Sequence, residues 1–321
     1  MSNNGHLKSQ VSSGLFQLDE LPSSKPMVSR LKLNGVSTVD FHITAKCSQA
    51  CPYCWGPRRF RTPVETETAK AIIARIKSLG VRRIVFTGGD PLQRPDAPEL
   101  VRYAKEIGLE TALSTTGDLL TREILQELSP YLDLISLPLD GSNEAISART
   151  KHPGHYANIL QSLEWLREYP HIDVKVCTPV TRYNLENIPS IAQLVEAYAR
   201  TTQARVFYNI FQAFPRAMFR VKWEKLLITD EEFAALKRRI ETPENIRINF
   251  LDHTTLDKLY VMVFPDGSMV IPRGSDYLNY GPFLGVEDFD TTLEASQFDS
   301  AKHLRHSRSW VKENTPIHYL A

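Results

Sequence analysis

From Val39 onward, short apolar runs alternate with longer amphipathic stretches. The short runs are rich in β-branched residues, as strands are, and the longer stretches repeat apolar residues at helical spacing. Within residues 67–80, Ile72, Ile76 and Leu79 share one helical face, and Gly80 is well placed to end the helix. This pattern predicts strands at 39–44, 82–87, 110–115, 133–139, 172–180 and 204–211, and helices at 67–80, 97–108, 120–132, 155–169, 187–201 and 229–240.

Six strand–helix units in series predict a parallel sheet with right-handed crossovers. The predicted strands are apolar over most of their length, which is typical of strands that are covered on both faces. The pattern alone does not distinguish an open doubly wound sheet from a barrel or a partial barrel. We therefore expect an α/β main domain over residues 37–240.

The alternation changes beyond about residue 245. Residues 245–251 and 259–272 have strand-like composition, and Pro265-Asp266-Gly267 within the second run predicts the turn of a hairpin. We expect residues 241–321 to form a smaller α+β extension packed on the main sheet. Residues 1–36 lack apolar periodicity and are expected to form a loose leader segment.

The composition argues against several classes of protein. Of the 321 residues, 42% are hydrophobic and 23% are charged, which is ordinary for a soluble globular protein with a full core. The net charge of +1 gives no reason to expect a nucleic-acid or membrane surface. No apolar run approaches the roughly 20 residues of a membrane span, and the polar N-terminus lacks a signal sequence, so a cytoplasmic protein is expected.

Three of the four cysteines, Cys47, Cys51 and Cys54, crowd into one short segment directly after the first predicted strand. Three soft thiolates on one loop can converge on a metal centre. A structural zinc site would usually need a fourth Cys or His, and Cys177 lies far along the chain. A [4Fe–4S] cluster held by three cysteines leaves one iron without a protein ligand, and that iron can bind a small molecule. Structural zinc, or buried unpaired thiols, remains the alternative.

A glycine pair ends the second predicted strand, in the segment Gly88-Gly89-Asp90-Pro91. Adjacent glycines allow a ligand to approach the backbone closely. A free carbonyl or carboxylate at this point suits an ammonium group. The next strands also end in polar segments, and parallel α/β folds place their sites at that end of the sheet.

The cysteine segment (residues 47–54, CSQACPYC) and the glycine segment (residues 88–91, GGDP) together resemble the radical S-adenosylmethionine (radical SAM) superfamily. Tyr53, an aromatic residue before the last cysteine, belongs to the same pattern. The family usually has Gly-Gly-Glu-Pro, so Asp90 is a conservative departure. The resemblance covers roughly residues 39–215 and implies a (βα)6 partial TIM barrel.

The resemblance also implies the cofactors and their ligands. The three cysteines would hold one [4Fe–4S] cluster, and its fourth iron would chelate SAM. One electron from a flavodoxin- or ferredoxin-type donor would cleave SAM to methionine and a 5′-deoxyadenosyl radical, which abstracts hydrogen from the substrate. The implied metal ligands are Cys47, Cys51 and Cys54, and the implied cofactor contacts are Tyr53, Gly88, Gly89, Asp90, Thr115, Asp140 and Arg149. No catalytic side chain is assigned.

Some of these side chains also have an ordinary structural explanation. Asp140 can cap a turn, and Arg149 with Lys151 can form a solvated face. Cys177 lies in an apolar strand, where a small buried hydrophobe is the commoner role. His42 in the first strand is expected to be a core or rim histidine with satisfied hydrogen bonds.

The C-terminal segment, residues 263–298, resembles the extension of the SPASM group of radical SAM enzymes, which carries auxiliary iron–sulfur clusters. Pro265-Asp266-Gly267 fits that pattern, but Arg273 stands near the position of the first cysteine. Because no cysteine follows Cys177, we expect a cysteine-free remnant that closes the barrel mouth and shapes the substrate pocket.

These expectations favour a radical SAM enzyme acting on a small metabolite or natural product derived from a sugar, nucleoside or amino acid. Only ~36 residues precede the first strand, too few for an independent leader-peptide-binding domain. A modifier of a ribosomally made peptide is the alternative, with its recognition domain on a separate chain. A non-catalytic iron–sulfur or zinc-binding regulator is the alternative from another class.

Overall fold

The computed structural model of the chain describes residues 35–57, 62–215 and 221–308. The expected leader therefore lies almost wholly outside the described residues. The described residues belong to one compact unit. Within the described ranges, no helix is both long and apolar enough to cross a membrane.

One ten-stranded sheet runs through this unit. Its strand order is β10-β9-β8-β1-β2-β3-β4-β5-β6-β7, and β1 to β7 are parallel neighbours in chain order. The strands are β1 (Thr38–Thr44), β2 (Arg83–Gly88), β3 (Glu110–Ser114), β4 (Leu134–Pro138), β5 (Asp173–Val180), β6 (Val206–Gln212), β7 (Arg247–Leu251), β8 (Val261–Val263), β9 (Ser268–Arg273) and β10 (Asp276–Pro282).

Helices connect the parallel strands, as the apolar spacing predicts. Thr229 and Glu232 form a capping box at the start of α8, which satisfies backbone N–H groups in its first turn. The helices are α1 (Thr66–Ser78), α2 (Ala97–Glu106), α3 (Arg122–Leu128), α4 (Glu144–Ser147), α5 (His155–Leu166), α6 (Ile188–Thr201), α7 (Trp223–Leu226), α8 (Asp230–Arg239), α9 (His253–Leu256), α10 (Phe289–Ala295) and α11 (Ser300–Arg308). All six predicted strand–helix units are present, with shifts of a few residues at their ends.

The C-terminal extension continues the sheet instead of packing on it as expected. Strand β7 pairs in parallel with β6 at one edge, and β8 pairs in parallel with β1 at the other. Strands β9 and β10 follow as antiparallel neighbours, and Pro265-Asp266-Gly267 forms the hairpin turn between β8 and β9. Both outer strands of the six-unit sheet would otherwise leave backbone N–H and C=O groups unpaired, and the extension satisfies them. The division of the chain at residue 240 stays a prediction.

The sheet curves around a central cavity. Residues at alternate positions of β1 to β6, together with Met262 of β8, line that one cavity. On β1, Asp40 and His42 face the cavity, whereas Phe41 and Ile43 are fully buried in the core under the helices. A barrel core is usually filled by branched apolar side chains, but this interior carries polar ones. The fold is a partial-barrel α/β architecture, as expected, with a cavity inside that polar and apolar side chains line together.

Candidate active site

The three clustered cysteines lie on the loop after β1, at the rim of the central cavity. We call residues 47–54 the cysteine loop. The backbone N–H of Gln49 donates to Cys47 Sγ at 3.4 Å, and that of Gly56 donates to Cys54 Sγ at 3.2 Å. Donors of this kind stabilise negative charge on sulfur, as the ligands of an iron–sulfur cluster require.

Lys151 supplies a buried positive charge beside the same loop. Its side chain is 5% exposed, and its Nζ donates to Cys51 Sγ at 3.2 Å. The ammonium group also lies 4.0 Å from Asp140 Oδ2 and 5.6 Å from the centre of the Tyr53 ring. The sequence predicts a solvated face for Lys151, whereas the structure buries its ammonium group against the cysteine loop.

Asp140 fastens the cysteine loop to the end of β4. Its fully buried carboxylate accepts hydrogen bonds from the Tyr53 hydroxyl and, at 2.7 Å, from Thr150 Oγ1. Burial, together with the charge of Asp140, raises the pKa of the Tyr53 phenol, which therefore remains a hydrogen-bond donor. Asp140 acts on the loop through Tyr53 and does not itself line the cavity.

Asp118 binds the N-terminal part of the cysteine loop, a contact that the sequence does not predict. Its Oδ2 accepts from Gln49 Nε2 at 2.7 Å and lies 3.0 Å from His152 Nε2. The Ser48 hydroxyl donates to the same oxygen. Gln49 Oε1 in turn accepts from the backbone N–H of His152 at 3.0 Å. The loops after β1, β3 and β4 are therefore tied together around the cysteines.

The glycine pair allows the end of β2 to pack directly against the entry of the cysteine loop. The N–H of Gly89 donates to Thr44 O at 2.8 Å. A Cβ atom on Gly88 would lie 2.2 Å from Thr44 O, and one on Gly89 would lie 2.2 Å from Lys46 O. Real Cβ atoms do not approach oxygen so closely, so only glycine fits at either position. Both glycines line the cavity.

Asp90 connects the ends of β2 and β3. Its fully buried carboxylate accepts from Thr115 Oγ1 at 2.7 Å and from Thr116 Oγ1 at 2.6 Å. Burial raises the pKa of Asp90, while the two hydroxyl donors oppose that shift. Asp90 and Thr115 therefore stand behind the wall of the cavity and bind each other.

The seven predicted cofactor contacts thus fall into three groups. The structure brings six of them around the cysteine loop but leaves one on the outer surface. Those lining the cavity are Tyr53, Gly88 and Gly89; those directly behind it are Asp90, Thr115 and Asp140; and the exposed one is Arg149, whose Nη1 donates to Tyr183 O at 3.3 Å.

The cavity, of about 380 Å³, is polar on the side of β1 and β5. Burial lowers the pKa of His42 to about 3, so the ring is neutral. Neither ring nitrogen has a hydrogen-bond partner among the described residues, contrary to the expectation for this histidine. Burial raises the pKa of Asp40 to about 6, and the positive charge of Lys175 opposes this. Cys177 also lines the cavity, with its Sγ 3.3 Å from Ser136 Oγ, and is not simply a core side chain as expected.

Aromatic side chains line the cavity on the side of the extension. The ring of Trp55 lies 5.6 Å from that of Tyr260, 6.1 Å from that of Phe214 and 6.0 Å from that of Tyr277. The Tyr277 hydroxyl donates to the Trp55 carbonyl. Residues of the extension therefore touch the segment that follows Cys54.

The donor set suits a multinuclear cluster. Among the described residues, no three Cys, His, Asp or Glu side chains converge closely enough to hold a single metal ion. In a [4Fe–4S] cluster each cysteine binds a different iron, so the sulfur atoms stand further apart than ligands of one ion. Three thiols with N–H donors and a buried ammonium group fit such a cluster.

Comparison with known proteins agrees with this site. Residues 41–195 match the family model described as the radical SAM superfamily. These residues, just under half of the chain, form a radical SAM domain. Members of this superfamily are enzymes that use a [4Fe–4S] cluster and SAM, and they require a reductant and a substrate. The expected cofactors are thereby confirmed, whereas the residues that hold them remain a prediction.

Two curated radical SAM proteins illustrate the likeness. The S-adenosylmethionine-dependent nucleotide dehydratase of Selenomonas ruminantium is 26% identical over 276 residues, which cover 83% of this chain and 96% of the relative. Mycofactocin maturase MftC of Mycolicibacterium smegmatis is 30% identical over 173 residues, which cover 53% of this chain and 44% of the relative. The chain spans about half the length, or less, of most of the curated relatives that it matches.

Solved radical SAM structures share the fold. Streptococcus suis SuiB bound to S-adenosylmethionine superposes with a TM-score of 0.61 at 14% identity, over 87% of this chain and 69% of SuiB. SuiB bound to its precursor peptide SuiA gives a TM-score of 0.58 at 13% identity, over 87% of this chain and 68% of SuiB. At such low identity the likeness concerns the fold alone.

Proposed function

We propose that this protein generates a 5′-deoxyadenosyl radical and uses it to abstract hydrogen from a small metabolite held in the central cavity. The observation that carries the proposal is the position of the cavity. One cavity is lined both by Cys47, Cys51 and Cys54, on the loop after β1, and by Asp40 and Lys175, within β1 and β5. A radical formed at the rim would therefore meet a substrate held by the polar side.

The cofactors would be held by residues at the cavity rim. The three cysteines would bind the cluster, and the carbonyl groups of Gly88 and Gly89 would receive the ammonium group of SAM. Lys151 is better placed than Arg149 to interact with the cluster or with SAM, because Lys151 lines the cavity and Arg149 does not. When bound, the cluster and SAM supply the deoxyadenosyl radical after one-electron reduction.

The chain's own side chains would bind the substrate and keep water out. Neutral His42 can both donate and accept a hydrogen bond. Asp40, Lys175 and Asn209 add a carboxylate, an ammonium group and an amide. Trp55 and its aromatic neighbours cover the side of the extension, which limits contact between a reactive radical and water.

The size and chemistry of the cavity favour a small polar substrate. Its volume of about 380 Å³ is near the lower end of the roughly 300–1,000 Å³ found for small-ligand sites, and SAM must share it. Donors and acceptors on β1, β5 and β6 suit the hydroxyl groups and heteroatoms of a sugar, a nucleoside or an amino-acid derivative. The match with a nucleotide dehydratase over most of both chains supports the nucleoside class.

A substrate screen tests the proposal. Cluster-loaded enzyme, SAM and dithionite would be incubated anaerobically with nucleosides and nucleotides, sugars, and amino-acid derivatives. We expect one class to raise 5′-deoxyadenosine formation, and deuterium from the labelled substrate to appear in that product. An Asn209→Ala variant should lose the substrate-dependent part and keep the slow SAM-only reaction. If all three classes leave the reaction unchanged, the proposal is wrong.

A peptide modifier is the second candidate. It is favoured by the fold likeness to SuiB, which has been solved with its precursor peptide. A peptide would have to insert a single residue into the cavity and keep the rest outside. The same screen, with short peptides added, separates the two functions, because only the peptide modifier would need residues on both sides of the reacting one.

A further inference from the structure

A second depression lies on the outer side of the cysteine loop. It is bounded on one side by Ser48, Ala50 and Pro52 of that loop, and on the other by residues 149–152, Tyr183, Val221, Lys222, Lys225 and Leu226. We call it the basic groove. It is formed by the loops that follow β1, β4, β5 and β6, and so lies at the same end of the sheet as the active site.

Positive charge dominates the described lining of the basic groove. Arg149, Lys222 and Lys225 are exposed there, with Lys151 and His152 beside them, and the described lining contains no Asp or Glu. Among the described residues, no carboxylate lies within salt-bridge distance of the three exposed cations. The chain as a whole carries 38 basic and 37 acidic residues, so this concentration of charge is local.

The basic groove is separated from the active site by a thin wall. Lys151 lines both the groove and the central cavity, and its Nζ lies 3.2 Å from Cys51 Sγ. A macromolecule seated in the groove would therefore approach the cysteine loop from the side opposite the substrate.

We propose that the basic groove is the docking surface for an acidic one-electron carrier protein, of the flavin or iron–sulfur type, that reduces the cluster. This inference rests on the proposed function. The carrier loses one electron and the cluster gains it, with no bond made or broken and no proton required. Opposite charges would steer the carrier to the groove and orient it, which raises the association rate more than the final affinity.

Charge reversal in the groove tests the docking surface. The variant Lys222→Glu/Lys225→Glu changes two exposed side chains that have no salt bridge to any described residue. The probe is a purified bacterial flavodoxin in its hydroquinone form. The measurement is the second-order rate constant for anaerobic reduction of the cluster-loaded enzyme, at several salt concentrations. We expect at least a tenfold loss at low salt, and a wild-type rate that falls as salt is added.

A matched variant distinguishes an effect of charge in the basic groove from an effect of the protein's net charge. Lys237→Glu/Arg238→Glu makes the same change in charge on the exposed side of α8 and should reduce the rate far less. Reduction by dithionite, which needs no docking, should be the same in all three proteins. The proposal is overturned if both variants lose the flavodoxin rate equally, if neither loses it, or if dithionite reduction falls with it. Absence of SAM cleavage with dithionite in the wild type would instead contradict the proposed function.

Discussion

A buried ammonium group sets the charge around the cysteine loop. Lys151 is 5% exposed and donates to Cys51 Sγ at 3.2 Å, with Asp140 as its counter-ion at 4.0 Å. A positive charge and a hydrogen bond at a ligand sulfur stabilise the more negative, reduced state of a cluster. In the proposed site, Lys151 would therefore tune the reduction potential of the cluster.

Replacing Lys151 with Met should make the cluster harder to reduce. We expect the redox equilibrium to shift at least tenfold toward the oxidised state, which is about 59 mV for a one-electron couple. An anaerobic redox titration followed by electron paramagnetic resonance measures the shift. Lys151→Arg keeps the charge and should retain most of the wild-type potential. Equal potentials in the Met variant and the wild type, at equal iron content, would show that Lys151 does not tune the cluster.

His42 makes a pH-dependent contribution to stability. Its pKa is about 3 in the folded chain, against an ordinary 6.5, because burial disfavours the charged ring. The unfolded chain therefore binds more protons between pH 6.5 and 3, so the free energy of unfolding falls as the pH is lowered through that range. Stability depends on pH here because the folded chain keeps the imidazole ring of His42 neutral, whereas the unfolded chain lets it bind a proton.

The variant His42→Phe should lose less stability on acidification. Between pH 7.5 and 5, we expect the free energy of unfolding to fall by about 2 kcal/mol less in the variant than in the wild type. Urea denaturation under anaerobic conditions at the two pH values measures the difference. An equal fall in the free energy of unfolding in both proteins would mean that the folded chain does not keep the His42 ring neutral.

At the scale of secondary structure, the site depends on how closely β2 approaches the segment after β1. The N–H groups of Gly89 and Asp90 donate to Thr44 O and Lys46 O, at 2.8 and 2.7 Å. These bonds fix the entry of the cysteine loop relative to the sheet. The spacing of the three sulfur atoms therefore depends on a junction that only glycine can form.

A methyl group at this junction should disturb the cluster site. In Gly89→Ala, the new Cβ would lie 2.2 Å from Lys46 O, so the backbone must shift. We expect a loss of about 2–3 kcal/mol in the free energy of unfolding, together with reduced iron content after reconstitution. Gly285→Ala, where the nearest atom lies at 3.9 Å, is the matched control and should bind iron normally. Normal iron binding in Gly89→Ala would contradict this account of the glycine pair.

The order of strands and helices could be predicted because apolar spacing is a local property of the sequence. Neighbouring glycines and clustered cysteines are also local, so the loops at the rim of the cavity could be found. The polar interior could have been recognised too, because Lys175 and Cys177 alternate with Val174 and Val176 along β5. A strand covered by core on both faces would not alternate in this way.

Contacts between distant segments could not be read from the sequence. Asp118 meets Gln49, and Lys151 meets Cys51, only because the ends of parallel strands lie side by side. Arg149 and Lys151 are two residues apart and equally basic, yet only Lys151 is turned into the cavity. The pairing of β8 with β1 is likewise set by the edges of the folded sheet, not by any local pattern.

At the scale of the whole molecule, the two edges of the parallel sheet are extended by C-terminal strands that carry no cysteine. Besides the three cysteines of the cysteine loop, the sequence contains one more cysteine, Cys177, which lines the cavity. We therefore predict one cluster, with close to four irons and four sulfides per chain after anaerobic reconstitution. Iron and sulfide analysis checks this, and clearly more than four irons per chain would require an auxiliary cluster.

We propose that the cysteine loop and the glycine pair form a working site for reductive cleavage of SAM. The most direct measurement is the amount of 5′-deoxyadenosine formed from SAM by the dithionite-reduced, cluster-loaded protein, compared with its Cys51→Ala variant. The account predicts deoxyadenosine from the wild type and none above background from the variant. Deoxyadenosine from both proteins, or from neither despite an intact [4Fe–4S] spectrum in the wild type, would contradict it.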